Sequence, residues 1–260
     1  MSNTYLSQFK KELNFLRRSE GTVYRYIKVG ERYLEHTKNN PQFTRAEGID
    51  FLDSFGGISS TYASWAIRVL HRFYTANGKD WPLIRGEAPS VEVRPQPFVT
   101  PNEVEKLLEF AKNRNKRDYA LIQCLIDTGM RRDELVKLNI DNYNDDTLLI
   151  DLSKREGFRT VKLNDETKQA LDDYLKERKD KNNALFLNNS GRDRISPAGV
   201  TNIVKSYFKL VGTDEPGKGA HAYRRGVVTD LASQGVSQLK IQAWGGWRSL
   251  EMVGRYCQLA

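Results

Sequence analysis

The stretch Thr147-Leu148-Leu149-Ile150-Asp151-Leu152-Ser153-Lys154-Arg155-Glu156-Gly157-Phe158-Arg159-Thr160-Val161-Lys162-Leu163 decides the fold class. Leu148, Ile150 and Leu152 alternate, which places them on one face of an extended strand. A charged turn, Ser153–Gly157, follows, and Thr160, Val161 and Leu163 continue the pattern on the far side. This reads as a β-hairpin, and almost everything outward from it reads as helix. The chain is therefore predicted to be mainly α with a small antiparallel β-sheet, an α+β arrangement.

Downstream of the hairpin, helical periodicity predicts helices over about 166–179, 197–210, 221–234, 237–244 and 249–256. The apolar run Ala184–Leu187 is a candidate third strand. Upstream, helices are expected over about 101–113 and 117–128. The first of these opens on Thr100-Pro101-Asn102-Glu103, an N-cap followed by proline at the first helical position and an acidic first turn.

Further upstream lies Gly86-Glu-Ala-Pro-Ser-Val-Glu-Val-Arg-Pro-Gln-Pro97, with three of the chain's eight prolines and no helical period. Proline fixes its own φ and biases the residue before it towards extended backbone, so this segment reads as a linker. The predicted organisation is an N-terminal domain over 1–85, a linker over 86–97 and a second domain over 98–260. Four helices are expected in the first domain. Two are carried by Tyr5, Leu6, Phe9, Leu13 and Leu16, and by Val23, Tyr24, Ile27, Tyr33 and Leu34. Thr44 is placed to cap a short third helix with Ile49, Phe51 and Leu52, and Ser59 or Ser60 to start a fourth through Trp65, Ile67, Val69, Leu70 and Phe73.

The 260 residues carry 41 Lys/Arg against 33 Asp/Glu, a net charge of +8, with 39% hydrophobic and 10% aromatic residues. That is enough apolar material for a core and excludes wholesale disorder. The excess splits evenly: 13 against 9 in residues 1–90, 28 against 24 in residues 91–260. A polyanionic partner would then touch both parts. Arg68 and Arg72, four apart on the fourth helix, can face a phosphate backbone; a solvated helix face is the competing reading. No apolar run is long enough to span a bilayer, and charges throughout residues 1–20 argue against a secretory signal. Cys124 and Cys257 form no metal or disulfide pattern, which suggests a reducing compartment.

Three clusters carry chemistry. In Thr128-Gly129-Met130-Arg131-Arg132-Asp133-Glu134-Leu135, a glycine permits a sharp turn after a buried helix, and the i, i+3 spacing brings Arg131 to Glu134. A carboxylate beside an arginine holds it in one rotamer, as a phosphate clamp needs. In Gly219-Ala220-His221-Ala222-Tyr223-Arg224-Arg225, His221 and Arg224 share one helix face. Gly245-Gly246-Trp247-Arg248-Ser249 is followed, nine positions after Trp247, by Tyr256.

Taken together and in this order, the clusters resemble the tyrosine recombinase (phage integrase) family. Its hallmarks are Thr-Gly-x-Arg-x-x-Glu-Leu, His-x-x-Arg, Gly-His or Gly-Trp, and a tyrosine nine residues on. The resemblance covers 98–258, and the helical part before it looks like the family's core-binding domain, followed here by a tyrosine-recombinase catalytic domain. It implies a DNA strand transferase that works without metal, cofactor or ATP on a double-stranded recombination site. Arg131 and Arg224 would clamp the phosphate and Tyr256 would form a 3′-phosphotyrosyl link. His221 would act as a base or hydrogen-bond donor, and Trp247 would donate its indole N–H where many relatives have histidine. Aligning the hairpin turn with the family's lysine-bearing hairpin assigns the general acid to Lys154, with Arg155 and Lys162 as competitors. Arg155 and Arg225 are further candidates for DNA contact. With three histidines, His36, His71 and His221, and no acidic–His cluster, a two-metal nuclease site is not expected.

The resemblance also implies a homo-oligomer, a tetramer on DNA, acting in the cytoplasm at the nucleoid, with no membrane partner. The sequence ends at Ala260, four residues past Tyr256, where relatives continue with a segment that docks on a neighbour. Weak, DNA-dependent assembly or a truncated chain is the expectation. Type IB topoisomerase-like relaxation of DNA by the same chemistry, or a non-catalytic DNA-binding module of the same fold, are the alternatives.

Overall fold

The computed structural model describes residues 2–55, 60–81, 96–153, 157–247 and 249–257. The chain divides into two compact units, Met1–Arg94 and Pro95–Ala260. The division falls in the proline-marked segment 86–97, whose residues 86–95 lie outside the described residues.

The first unit is built from α1 (Ser2–Phe15), α2 (Glu20–His36), α3 (Arg45–Asp53) and α4 (Ser60–Ala76). Ser19 and Thr44 accept hydrogen bonds from the Thr22 and Glu47 amides, satisfying donors that a helix start leaves unpaired. Phe9, Leu13, Tyr33, Phe51, Leu70, Phe73 and Tyr74 are buried at the centre. The Tyr33 hydroxyl bonds both the Tyr74 hydroxyl, at 2.7 Å, and the Glu47 carboxylate. Ser59, the other candidate cap for α4, lies outside the described residues.

The second unit runs α5 (Pro101–Lys112), α6 (Lys116–Thr128), α7 (Arg132–Lys137), a 3₁₀ turn (Ile140–Asn142), β1 (Tyr143–Asn144), β2 (Thr147–Ser153) and β3 (Gly157–Lys162). It continues with α8 (Asp165–Glu177), α9 (Pro197–Leu210), α10 (Ala220–Ser233), α11 (Gln238–Gly245) and α12 (Leu250–Cys257). Thr100 and Glu103 form the reciprocal capping box that opens α5. The hairpin forms as its period-two pattern predicts. Leu148 pairs with Val161 and Ile150 with Arg159, Leu148 and Ile150 are fully buried, and Leu149 between them is exposed. Each of those two buried side chains contributes about 1.5–3 kcal/mol. They pack in one cluster with Leu121, Ile122, Cys124 and Leu125 of α6, which makes α6 the central helix of the unit. Among the described residues, no helix is long and apolar enough to cross a membrane.

The expected third strand is corrected. Strand order is β1-β2-β3, all antiparallel, so Tyr143–Asn144 supplies the third strand rather than Ala184–Leu187. Ala184 and Leu187 make only isolated bridges, to Asn139 and Arg194. The reason lies in Arg178, whose guanidinium takes the carbonyls of Asn182, Ala184 and Leu185, while Phe186 stacks on Tyr174 at 5.8 Å. The run is apolar because it is buried, and its hydrogen-bonding groups are divided between side chains and single backbone partners: Arg178 takes the Ala184 and Leu185 carbonyls, Arg117 that of Leu187, and Leu138 and Ile195 pair with Leu185 and Phe186.

Candidate active site

α6 stops at Thr128 because Gly129 adopts left-handed backbone at φ 55°. A side chain there would also strike the Trp244 ring, with its Cβ 2.2 Å from Cη2. The turn delivers Arg131 to the N-terminus of α7. Glu134 then holds Arg131 twice: its Oε2 accepts from the Arg131 amide at 2.8 Å, and its Oε1 from Nη1 at 2.5 Å. Glu134 is buried and the Arg131 side chain is 30% exposed. The acid is thus fixed inside and the guanidinium is presented at the surface.

Arg224, on α10, is buried at 2% exposure. Its Nη1 donates to the Gly129 carbonyl at 2.7 Å and its Nη2 to the Gly245 carbonyl at 2.6 Å. One side chain of the second motif therefore ties the turn of the first motif to the end of α11, where the third begins. Trp247 lies beneath it, buried with Val228, Ile241 and Val253. Gly245 cannot carry a side chain, because a Cβ would fall 1.6 Å from the Trp247 ring, and Gly246 closes α11 with left-handed backbone.

His221, three residues before Arg224 on α10, reaches solvent on one side. Packing beneath its ring, then the positive charges of Arg225, Arg132 and Arg224, lowers its pKa below the usual imidazole value. Tyr256 lies in α12, whose Val253 is fully buried against α10 and α11. The backbone bearing Tyr256 is thereby anchored within one helical turn. Lys154 and Arg155 lie outside the described residues, as does Arg248. Lys162, a competitor of Lys154, sits at the end of β3 away from the turn and pairs with Asp146 at 3.4 Å.

The arginines singled out for DNA contact differ in setting. Arg68 is exposed on α4, and Arg72 pairs with Glu12 of α1 at 3.4 Å. Arg225 turns to the backbone, its Nε donating to the Pro97 carbonyl at 2.6 Å and its Nη2 to that of Gly217 at 3.3 Å. Around it the chain entering the second unit is fastened to α10. The Val99 amide bonds the Ala222 carbonyl at 3.2 Å, and Gly226 packs against Val99 so closely that a Cβ would meet its carbonyl oxygen at 2.2 Å. Lys218, just before α10, is buried and ion-paired with Glu103 at 2.5 Å and with Glu215 at 3.3 Å.

One residue of this site is absent from the motif reading. Arg159, on β3, is buried at 10% exposure and bonds the Trp244 and Thr128 carbonyls. Its signal was in the hairpin pattern: 159 shares parity with Val161, so it falls on the inner face, where a charge needs partners.

Two guanidiniums held by fixed carbonyls and a carboxylate, beside an indole and a neutral-leaning imidazole, can bind a tetrahedral anion and stabilise charge building on it. The sequence pattern of the phage integrase family matches residues 97–260, and the chain belongs to that family, the tyrosine recombinases. Among curated relatives it is 36% identical over 149 residues to the tyrosine recombinase XerC of Caldanaerobacter subterraneus, covering 55% of this chain and 41% of that protein. It is 23% identical over 260 residues to the tyrosine recombinase XerA of Pyrococcus furiosus, covering 98% and 89%. The chain spans less than half the length of the first of these. Its fold matches XerH bound to a palindromic difH substrate, with TM-score 0.79 and 22% identity over 99% of this chain and 81% of that one. It also matches a lambda integrase dimer bound to a core site, with TM-score 0.78 and 17% identity over 99% and 77%.

Proposed function

We propose that the protein is a site-specific DNA recombinase that cuts and rejoins strands through Tyr256. The phenolic oxygen attacks the scissile phosphorus, the P–O5′ bond breaks, and a 3′-phosphotyrosyl link and a free 5′-hydroxyl result. Arg131 and Arg224 balance the charge that builds on the non-bridging oxygens, and the Trp247 N–H adds one neutral donor. His221, neutral at pH 7, accepts the tyrosine proton or hydrogen-bonds the phosphate, and Lys154 protonates the leaving oxygen. Reversal by another strand's 5′-hydroxyl completes exchange, with two units on each duplex (1–85 and 98–260) and a tetramer at the synapse. No metal or cofactor is required by these roles.

The observation that carries this reading is Arg224, which gathers Gly129, Gly245 and Trp247 around one guanidinium and so unites three motifs that are far apart in sequence. Relatives named as recombinases, XerC and XerA, favour exchange between duplexes over simple relaxation.

The test uses a pool of nicked duplexes with randomised sequence around the nick. Protein–DNA adducts that survive SDS are recovered and sequenced to define the site. Wild type should give adducts and Tyr256→Phe none. If wild type and Tyr256→Phe are equally blank across the pool, strand transfer is ruled out.

A further inference from the structure

Arg159 stands opposite Ile150 on the buried face of the hairpin, an inward position at which a cation is costly unless it is held. It is held by the same two segments that hold Arg224. Arg224 bonds the carbonyls of Gly129 and Gly245; Arg159 bonds those of the residues just before them, Thr128 at 3.2 Å and Trp244. The two guanidiniums are adjacent rungs between the turn that carries Arg131 and the turn that carries Trp247. The Arg159 side chain also passes Gly246, where a Cβ would lie 3.7 Å from its Cδ, and its guanidinium carbon lies 5.9 Å from the Trp244 ring centroid.

Charge gives the second half of the argument. Glu134, which bonds Arg131, has its other oxygen 3.8 Å from Arg159 Nη2. Arg131 and Glu134 alone would be a neutral pair. With Arg159 beside them these three groups are net +1, and the one carboxylate is shared between two guanidiniums.

We propose that Arg159 is a positioning residue for the phosphate site: it locks the Thr128 and Trp244 carbonyls in register and shares Glu134 with Arg131, so that Arg131 and Arg224 meet the scissile phosphate with fixed geometry. A lysine could keep the charge but reach only one carbonyl, because it lacks the planar fork. This role rests on the strand-transfer reading above.

The experiment uses the full chain and a synthetic nicked duplex of the selected site, with adduct formation followed under single turnover at saturating protein. Arg159→Gln should slow adduct formation by about 100-fold, the scale of a misplaced reacting group, and Arg159→Lys by clearly less. DNA affinity, measured by fluorescence anisotropy in a Tyr256→Phe background, should change by no more than about threefold, since affinity for duplex DNA is spread over many phosphates rather than set at one. A second duplex carries a methylphosphonate at the scissile position, which removes the negative charge the arginines must balance. On it the gap between wild type and Arg159→Gln should shrink at least tenfold, a correspondingly smaller difference in barrier. A gap of equal size on both substrates would mean that Arg159 only supports the fold, and equal rates for wild type and Arg159→Gln on the phosphodiester would remove its role outright. Either result leaves strand transfer standing; a wild type that forms no adduct defeats that reading, and this role with it. If Arg159→Gln melts below the assay temperature, Arg159→Lys carries the same two-substrate comparison.

Discussion

Arg224 lies over the ring of Trp247: the guanidinium carbon is 3.8 Å from the ring centroid, and both side chains are buried. The indole is thus a platform for the arginine, and under the proposed mechanism it is also the donor of one N–H. A desolvated cation–π contact contributes about 2 kcal/mol, while a single donor to a developing oxyanion is worth about 3–4 kcal/mol in the barrier.

Trp247→Phe separates them. It keeps an aromatic face under Arg224 and should lower stability by only about 1–2 kcal/mol, yet slow adduct formation by about 100-fold. Trp247→Ala removes both and should cost about 3–5 kcal/mol of stability. Urea melts and single-turnover cleavage read the two effects. A Trp247→Phe protein that cleaves at the wild-type rate would show that the N–H does nothing.

His221 has a pKa lowered from the ordinary 6.5 by packing and by three arginines. The native state then resists protonation that the unfolded chain accepts. Stability should be fully retained above pH 6.5 and fall as pH drops through and below that value, because the unfolded state binds the extra proton. His221→Gln should flatten that part of the profile. Denaturant midpoints at pH 7.5 and 5.5, with an NMR titration of the ring, decide it; a midpoint above 6.5 would contradict the electrostatics.

Lys218 and Glu103 form a pair whose lysine is almost wholly buried. Burial pushes the Glu103 carboxyl up, but hydrogen bonds from Lys218 and Thr100 outweigh it and hold the group below its usual value. Lys218→Met strands the acid and should cost about 3–5 kcal/mol at neutral pH. The double variant with Glu103→Gln should recover part of that loss. Since the carboxyl is favoured ionised in the native state, its contribution holds above the ordinary carboxylate range and disappears as pH falls through the folded value. Additive losses in the double-mutant cycle would mean the two groups do not interact.

Gly129 and Gly235 both adopt left-handed backbone, but only Gly129 has a ring against it. Gly235→Ala should therefore cost only the backbone strain, about 1 kcal/mol. Gly129→Ala adds a collision with Trp244 and should cost about 1–3 kcal/mol more. Equal melting of the two variants would show that the Trp244 ring yields freely.

Much of this arrangement could be read before the fold was seen, for identifiable reasons. The hairpin was visible because Leu148 and Ile150 alternate with exposed Leu149, and the start of α5 because Thr100 and Glu103 cap each other in a fixed spacing. Arg131 and Glu134 meet because three residues make nearly one helical turn. What stayed hidden depends on partners remote in sequence. Ala184–Leu187 announced burial but not that Arg178 would take the carbonyls of Ala184 and Leu185. Arg159 looked like one more charge beside a charged turn; only its pairing with Ile150 turns it inward. Arg225, suggested as a DNA contact, bonds carbonyls eight and 128 residues away, at Gly217 and Pro97.

The fastening of Pro97 and Val99 onto α10 has a mechanical meaning. Residue 97 is where the backbone enters the second unit, and α10 carries both His221 and Arg224. A pull on the chain at Gln96 would reach those two side chains through the Arg225–Pro97 and Val99–Ala222 bonds and the Gly226 contact, the last two at the edge of the apolar core, where Val99 and Ala222 are buried. The polypeptide's point of entry is thus also a handle on the helix that carries His221 and Arg224.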